Sequence, residues 1–145
     1  MAVNASHRRP VVDGVRVPPG RLRAVHAIAA LFVVTGVLHF VIPRGYTSIV
    51  PPFLPARLFL VYLSGALELA GGVGLLVPRT RRAAALGLIA LLAAVFPANV
   101  QMLASAVAAG RPQWHLALLW LRLPLQFVLM YVIWRTAGGR AAGGV

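Results

Sequence analysis

The chain contains no cysteine and no lysine, and only two acidic residues, Asp13 and Glu68. Without cysteine it cannot run disulfide exchange with its own thiols, ligate a metal through thiolate, or hold an iron–sulfur cluster in the usual way. A redox role therefore needs a bound quinone, a haem or a partner subunit, and no intrinsic cofactor is expected. All 14 basic residues are arginine, which leaves a formal net charge of +12. Such a charge raises the question of nucleic acid. No basic face interleaved with aromatics is present, however, and the arginines gather at the ends of apolar segments, where topology signals lie. Nucleic acid is therefore not an expected partner. The absence of lysine beside heavy use of Ala, Gly, Val, Leu, Pro and Arg points to a GC-rich bacterial genome.

Charge of either sign is scarce. Of 145 residues, 11% are charged and 60% hydrophobic, and the mean hydropathy is +0.85. This is too apolar for a soluble domain of that length and fits one compact polytopic membrane domain, with the bilayer as its first partner.

The stretch 58–77, LFLVYLSGALELAGGVGLLV, organises the rest. A helix of about 20 apolar residues crosses a ~30 Å hydrocarbon core. Glu68 near its middle is costly there and must face protein or water with a partner. Ser64, Gly65, Gly71 and Gly72 stand three or four residues from Glu68 and share its face. Small residues at Gly65, Gly71 and Gly72 let a second helix approach closely.

Residues 1–23 read as a polar tail, expected to be disordered at least to Pro19. No small-residue cleavage site follows a short apolar core, so an uncleaved first span is expected over about 24–42, stopped by Pro43. Further spans are expected over 58–77, 83–109 and 114–134, with a flexible tail over 135–145. The segment 43–57, PRGYTSIVPPFLPAR, is apolar yet broken by prolines, so it should lie at the membrane face, as a lid over a pocket or as a plain connector. The fold class expected is all-α: a four-transmembrane-helix bundle with a proline-rich outer loop. Ten arginines lie in the N-terminal tail, the second loop and the C-terminus, against Arg44, Arg57 and Arg111 in the first and third loops. The positive-inside rule then places both termini in the cytoplasm and 43–57 outside, as in a multi-pass protein of the bacterial inner (plasma) membrane.

Depth arithmetic brings distant polar residues together. At 1.5 Å per residue, Glu68 and Asn99 each lie ~15 Å from the outer ends of their spans and Arg122 ~12 Å. Gln101 and Gln126 are one turn away, and His39 and His115 lie nearer the outer face. Glu68 and Arg122 are each costly alone in hydrocarbon and are expected to pair, with Asn99 or Gln126 sharing hydrogen bonds. The pair reads either as a register-fixing element or as the floor of a pocket that binds a head group or moves a proton. His39 reads as an interfacial histidine with one hydrogen bond or as a ligand contact. Two histidines and one carboxylate without ligand spacing do not make a metal site.

On TGVLHFVIPRGYTSIVPPFLP (35–55), YLSGALELAGGVGLLVPRTRRAAALGL (62–88), AVFPANVQM (94–102) and WLRLPLQ (120–126), the chain resembles the DoxX-like family of small bacterial membrane proteins. The resemblance implies a four-helix membrane bundle. One branch of that family serves as a subunit of thiosulfate:quinone oxidoreductase, and related members accompany redox-stress complexes or assist receptor assembly. The first expectation is thus a non-enzymatic subunit or accessory factor of a membrane complex, binding partner subunits through the small-residue face. The alternative is a quinone- or lipid-binding oxidoreductase subunit with Glu68, Asn99, Arg122 and His39 lining its pocket. Small-solute transport is disfavoured, because four helices without an internal repeat offer little alternating-access machinery.

Overall fold

The computed structural model of the chain describes residues 11–12, 15–16 and 19–138. Helix α1 spans Pro19–Val41, α2 Pro43–Thr47, α3 Arg57–Leu76, α4 Arg81–Ala108 and α5 Gln113–Ile133, followed by a π-helical turn, Trp134–Gly138. All but α2 are long and apolar enough to cross a membrane, which makes four candidate spans. The protein is an all-α four-helix bundle of the multi-pass membrane kind.

Most of the tail expected over 1–23 lies outside the described residues, as does the chain beyond Gly138. Within the tail, Val11–Val12 and Val15–Arg16 pair antiparallel, Val11 opposite Arg16 and Val12 opposite Val15. Two boundaries differ from expectation. Helix α1 begins at Pro19 rather than near Ala24, because proline suits the first helical turn, where its missing N–H leaves nothing unmade. That polar turn is also anchored: Arg21 Nε donates to the Thr136 carbonyl at 2.7 Å. At the other terminus the helical path runs past Trp134 to Gly138 instead of ending in a tail, with Thr136 Oγ1 donating to the Val132 carbonyl at 2.7 Å.

Helix ends leave carbonyls without partners, and in an apolar setting these must be satisfied locally. The end of α3 uses the next turn for this: Thr80 Oγ1 donates to Gly74 O at 2.9 Å and Arg81 Nε to Leu75 O at 2.8 Å. The end of α4 uses Gly110, left-handed at φ 61°. Its N–H donates to Val107 O at 3.0 Å, and the Arg111 N–H reaches Ala106 O at 3.1 Å, the paired bonds of a Schellman turn.

The spans pack in chain order, α1 on α3, α3 on α4 and α4 on α5, while the terminal π-helical turn touches α4, α5 and α1. The bundle is thereby closed at the end carrying both termini. There Val25, Ile28, Ala29, Phe32, Leu75, Ala85, Leu88, Ile133 and Ala137 form one core. Those residues come from α1 up to Phe32, the end of α3, the start of α4, the end of α5 and the terminal π-helical turn, so they share one level. Toward the opposite end no such core forms; there α1 still crosses α3 closely at Gly36 and Gly65, and α4 meets α5 through Asn99 and Gln126.

The glycines of α3 serve two neighbours rather than one. A Cβ on Gly65 would lie 2.6 Å from His39 Cβ and 3.0 Å from Gly36 O, and one on Gly72 would lie 3.0 Å from Ala29 O, so both face α1. Gly71 faces α4, where a Cβ would collide with Leu88. All three are thus engaged within the chain. Close approach is the main source of helix association in lipid, where the hydrophobic effect offers little.

Candidate functional site: a lidded cavity at the open end

The core ends about two turns below the polar residues, Phe32 and Leu75 each seven positions from His39 and Glu68. Above it lies a half-open cavity of about 520 Å³, walled mainly by α3, α4 and residues 46–54, with His39 from α1 and Arg122 from α5. Its walls are mostly apolar, with a few convergent polar groups, the usual composition of a small-molecule site. Among the residues that sequence reasoning singled out, His39, Glu68, Asn99 and Arg122 all line it.

Each is positioned by an identifiable local cause. The close crossing of α1 and α3 at Gly36 and Gly65 brings His39 against Glu68, with Nδ1 3.8 Å from Oε2. His39 Nδ1 is also 2.8 Å from the Thr35 carbonyl. A carbonyl only accepts, so Nδ1 carries the proton and a neutral ring leaves Nε2 as its acceptor. The imidazole stacks on the Tyr46 ring at 3.8 Å between centroids. Burial holds the Tyr46 phenol above its ordinary pKa; the Glu68 carboxylate adds to that and Arg122 opposes it. Tyr46 therefore stays a hydroxyl donor throughout the neutral range.

Asn99 and Gln126 are both buried. Asn99 Nδ2 donates to Gln126 Oε1 at 2.6 Å, and Gln126 Nε2 donates to the Leu92 carbonyl. Pro97 lies within this part of α4 and offers no N–H to the helix ladder. The Gln126 side chain thus ties α5 to the stretch of α4 that the proline loosens. Asn99 faces the cavity, and Gln126 stands behind it.

Three expectations are corrected. Among the described residues, the basic side chain within 4 Å of Glu68 is His39, and Arg122 makes no such contact with it. Arg122 shares the cavity but is exposed on α5. The two helices meet α4 on either side of the cavity, so equal depth does not become contact. Gln101 does not join the cluster either: its Nε2 donates to Ser105 Oγ at 3.1 Å on the surface of α4 itself. His115, expected under the loop, packs on Trp114 and is not among the lining residues.

The proline-rich segment covers the cavity. Pro43 starts the short helix α2 at a position proline tolerates, where an irregular loop was expected. Beyond it single turns follow, with Ile49 N–H to Tyr46 O at 3.3 Å and Leu54 N–H to Pro51 O at 3.0 Å. Ala56 enters α3 in the left-handed region at φ 51°. Tyr46, Ile49, Val50, Pro51, Phe53 and Leu54 all line the cavity, so the segment is a cover and not a bare connector.

Two polar atoms in this wall lack partners. Glu68 Oε2 and Ser64 Oγ are buried and accept or donate no hydrogen bond. They lie one helical turn apart on α3, on the face that lines the cavity. An unmade hydrogen bond of a buried group costs roughly 1–3 kcal/mol, more for a charged one, and it is recovered when a ligand or water supplies the partner. Sequence reasoning found Ser64 only as a small residue and did not single out Tyr46, which reaches the site through its stack on His39. No grouping of three or more His, Asp or Glu residues suited to a metal occurs among the described residues.

Four membrane-length helices around a covered cavity, with one buried carboxylate oxygen lacking a hydrogen bond, define a polytopic membrane protein with an internal candidate site. The chain belongs to a family described as a domain of unknown function, DUF8561, whose model matches residues 28–137. No curated protein and no solved structure matches it.

Proposed function

We propose that this protein is a non-enzymatic membrane subunit that binds a bilayer-soluble amphiphile of the quinone class in the cavity beneath residues 46–54. The observation that carries the reading is the pair of unpartnered buried atoms, Glu68 Oε2 and Ser64 Oγ, in an otherwise apolar wall. A ring head bearing hydroxyl or carbonyl groups meets that need. An ionised Glu68 accepts from a ligand hydroxyl, a protonated one donates to a ligand carbonyl, and Ser64 does either. His39 and Tyr46 supply a polar connection from the carboxylate toward the covered membrane face. The resemblance to DoxX-like proteins adds support for membership in a membrane redox complex, whose partner subunits bring the electron-transfer groups this chain does not encode. The arginine distribution supports a bacterial inner membrane with both termini cytoplasmic and the cover outside.

The test is saturable binding of a tail-less quinone to the protein in lipid nanodiscs, with helicity recorded alongside. Glu68→Gln and Ser64→Ala should keep the helical signal. The glutamate change should weaken binding about tenfold, the scale of one charge-assisted hydrogen bond. Absence of saturable binding, or indifference to both substitutions, refutes the proposal.

A further inference from the structure

A second hollow of about 740 Å³ lies between α3 and α4, on the side of the cavity toward the Pro78 turn. Small residues line it from both helices: Gly71 and Gly74 from α3, and Ala83, Gly87 and Ala90 from α4. A Cβ added to Gly87 would meet nothing within 4 Å, so the groove is open at Gly87, on the exposed side of α4, whereas Gly71 and Gly74 pack closely on Leu88 and Ala84. Its lining is apolar, and Leu67, Leu91 and Ala94 border both this groove and the cavity above. The two hollows are therefore neighbours that share the wall formed by Leu67, Leu91 and Ala94. The upper one has the unpartnered carboxylate and hydroxyl, and the lower has apolar walls.

We infer that the groove holds the prenyl tail of the quinone-class ligand whose head occupies the cavity, so that the ligand lies along α3 with its tail directed to the Pro78 turn. The inference rests on the proposed function and specifies the ligand: a ring head joined to one long flexible apolar chain. The groove follows α3 from Leu67 to Val77, ~15 Å along the helix axis, which accommodates a short prenyl chain or the first part of a long one. The direction follows from the polarity of the walls, since no lining residue of the groove is ionisable. Tail burial here gains little from the hydrophobic effect, because the bilayer is as apolar as the groove. The groove therefore acts on which way the ligand points and how its head is held, and tail length alone should alter affinity only weakly.

Photolabelling separates head binding from tail placement. A quinone with a diazirine at the end of a short prenyl tail is irradiated with the full-length protein in nanodiscs, and labelled peptides are mapped by mass spectrometry. Label is expected within 70–77 and 83–90, and a tail-less quinone should suppress it by displacing the head. Gly87→Leu fills the groove at a position with room for the side chain and should cut that label about tenfold, the scale of one overpacked side chain. In that variant the tail-less quinone should bind within about twofold of wild type, since the head site is a helical turn away. Saturable label that is competed by the tail-less quinone but falls on α5 or spreads evenly overturns the tail assignment and leaves the proposed function intact. Groove label that the tail-less quinone does not suppress marks an ordinary lipid chain there and likewise overturns it. Absence of saturable labelling together with absence of tail-less quinone binding overturns both readings.

Discussion

Removing the Gln126 side chain should cost more than removing its partner, because Gln126 makes two buried hydrogen bonds and Asn99 takes part in one of them. In Asn99→Leu the amide of Gln126 keeps its bond to the Leu92 carbonyl, and only Gln126 Oε1 loses a donor. In Gln126→Leu, Asn99 Nδ2 is left without a partner and the Leu92 carbonyl loses the side-chain donor it accepts beyond the α4 ladder. Each stranded group costs roughly 1–3 kcal/mol when it finds no water. Measured couplings between membrane helices are smaller, averaging ~0.6 and reaching ~1.7 kcal/mol, because the unfolded chain in detergent also finds partners. We therefore expect about 1 kcal/mol for Asn99→Leu and about 2 kcal/mol for Gln126→Leu. The double change should cost less than the two together by about 1 kcal/mol, since it strands no side-chain amide. Reversible unfolding in mixed micelles, followed by helicity, gives all four free energies. Equal single losses, or strict additivity, would show that the α4–α5 amide lock does not exist in the folded protein.

The α1–α3 crossing gives a second prediction. Gly65→Ala should lower stability by roughly 1–3 kcal/mol, as overpacking does, because its Cβ would lie 2.6 Å from His39 Cβ and 3.0 Å from the Gly36 carbonyl. Gly87→Ala, with open space around it, should instead be neutral or stabilising by up to ~1 kcal/mol through helix propensity; thermal midpoints in one detergent compare the two, and equal losses would contradict the packing. The third concerns alkaline pH. Burial, reinforced by Glu68, raises the Tyr46 phenol above its ordinary 10.0, against an opposing effect of Arg122. The folded protein thus holds this proton more tightly than the unfolded chain, so the contribution is complete below pH ~10 and is lost as pH rises through the folded pKa. Tyr46→Phe should flatten that part of the stability profile between neutral and strongly alkaline pH, and an unchanged slope would show that the phenol does not titrate in contact with the site.

The number of spans and their approximate limits could be read from the amino acids because hydrophobic length is a local property. Residues 58–77 declare a span whatever they pack against, and prolines at 43, 78 and 112 mark turns because the ring excludes a backbone donor. Depth was legible for a related reason. A fixed rise per residue puts Glu68, Asn99 and Arg122 at one level, and His39, Glu68, Asn99 and Arg122 do line one cavity. Direction around each helix axis was not legible, because it depends on which neighbour a face meets. That is why Arg122 shares a level with Glu68 without touching it, and why Gln101 turns to Ser105 on its own helix while Gln126 reaches across to Asn99. It is also why Gly65 and Gly72 serve α1 but Gly71 serves α4, although the three look alike in sequence. Only the tertiary packing, closed by a core where α1 begins and α5 ends, decided that a cavity exists beyond that core and that residues 46–54 cover it.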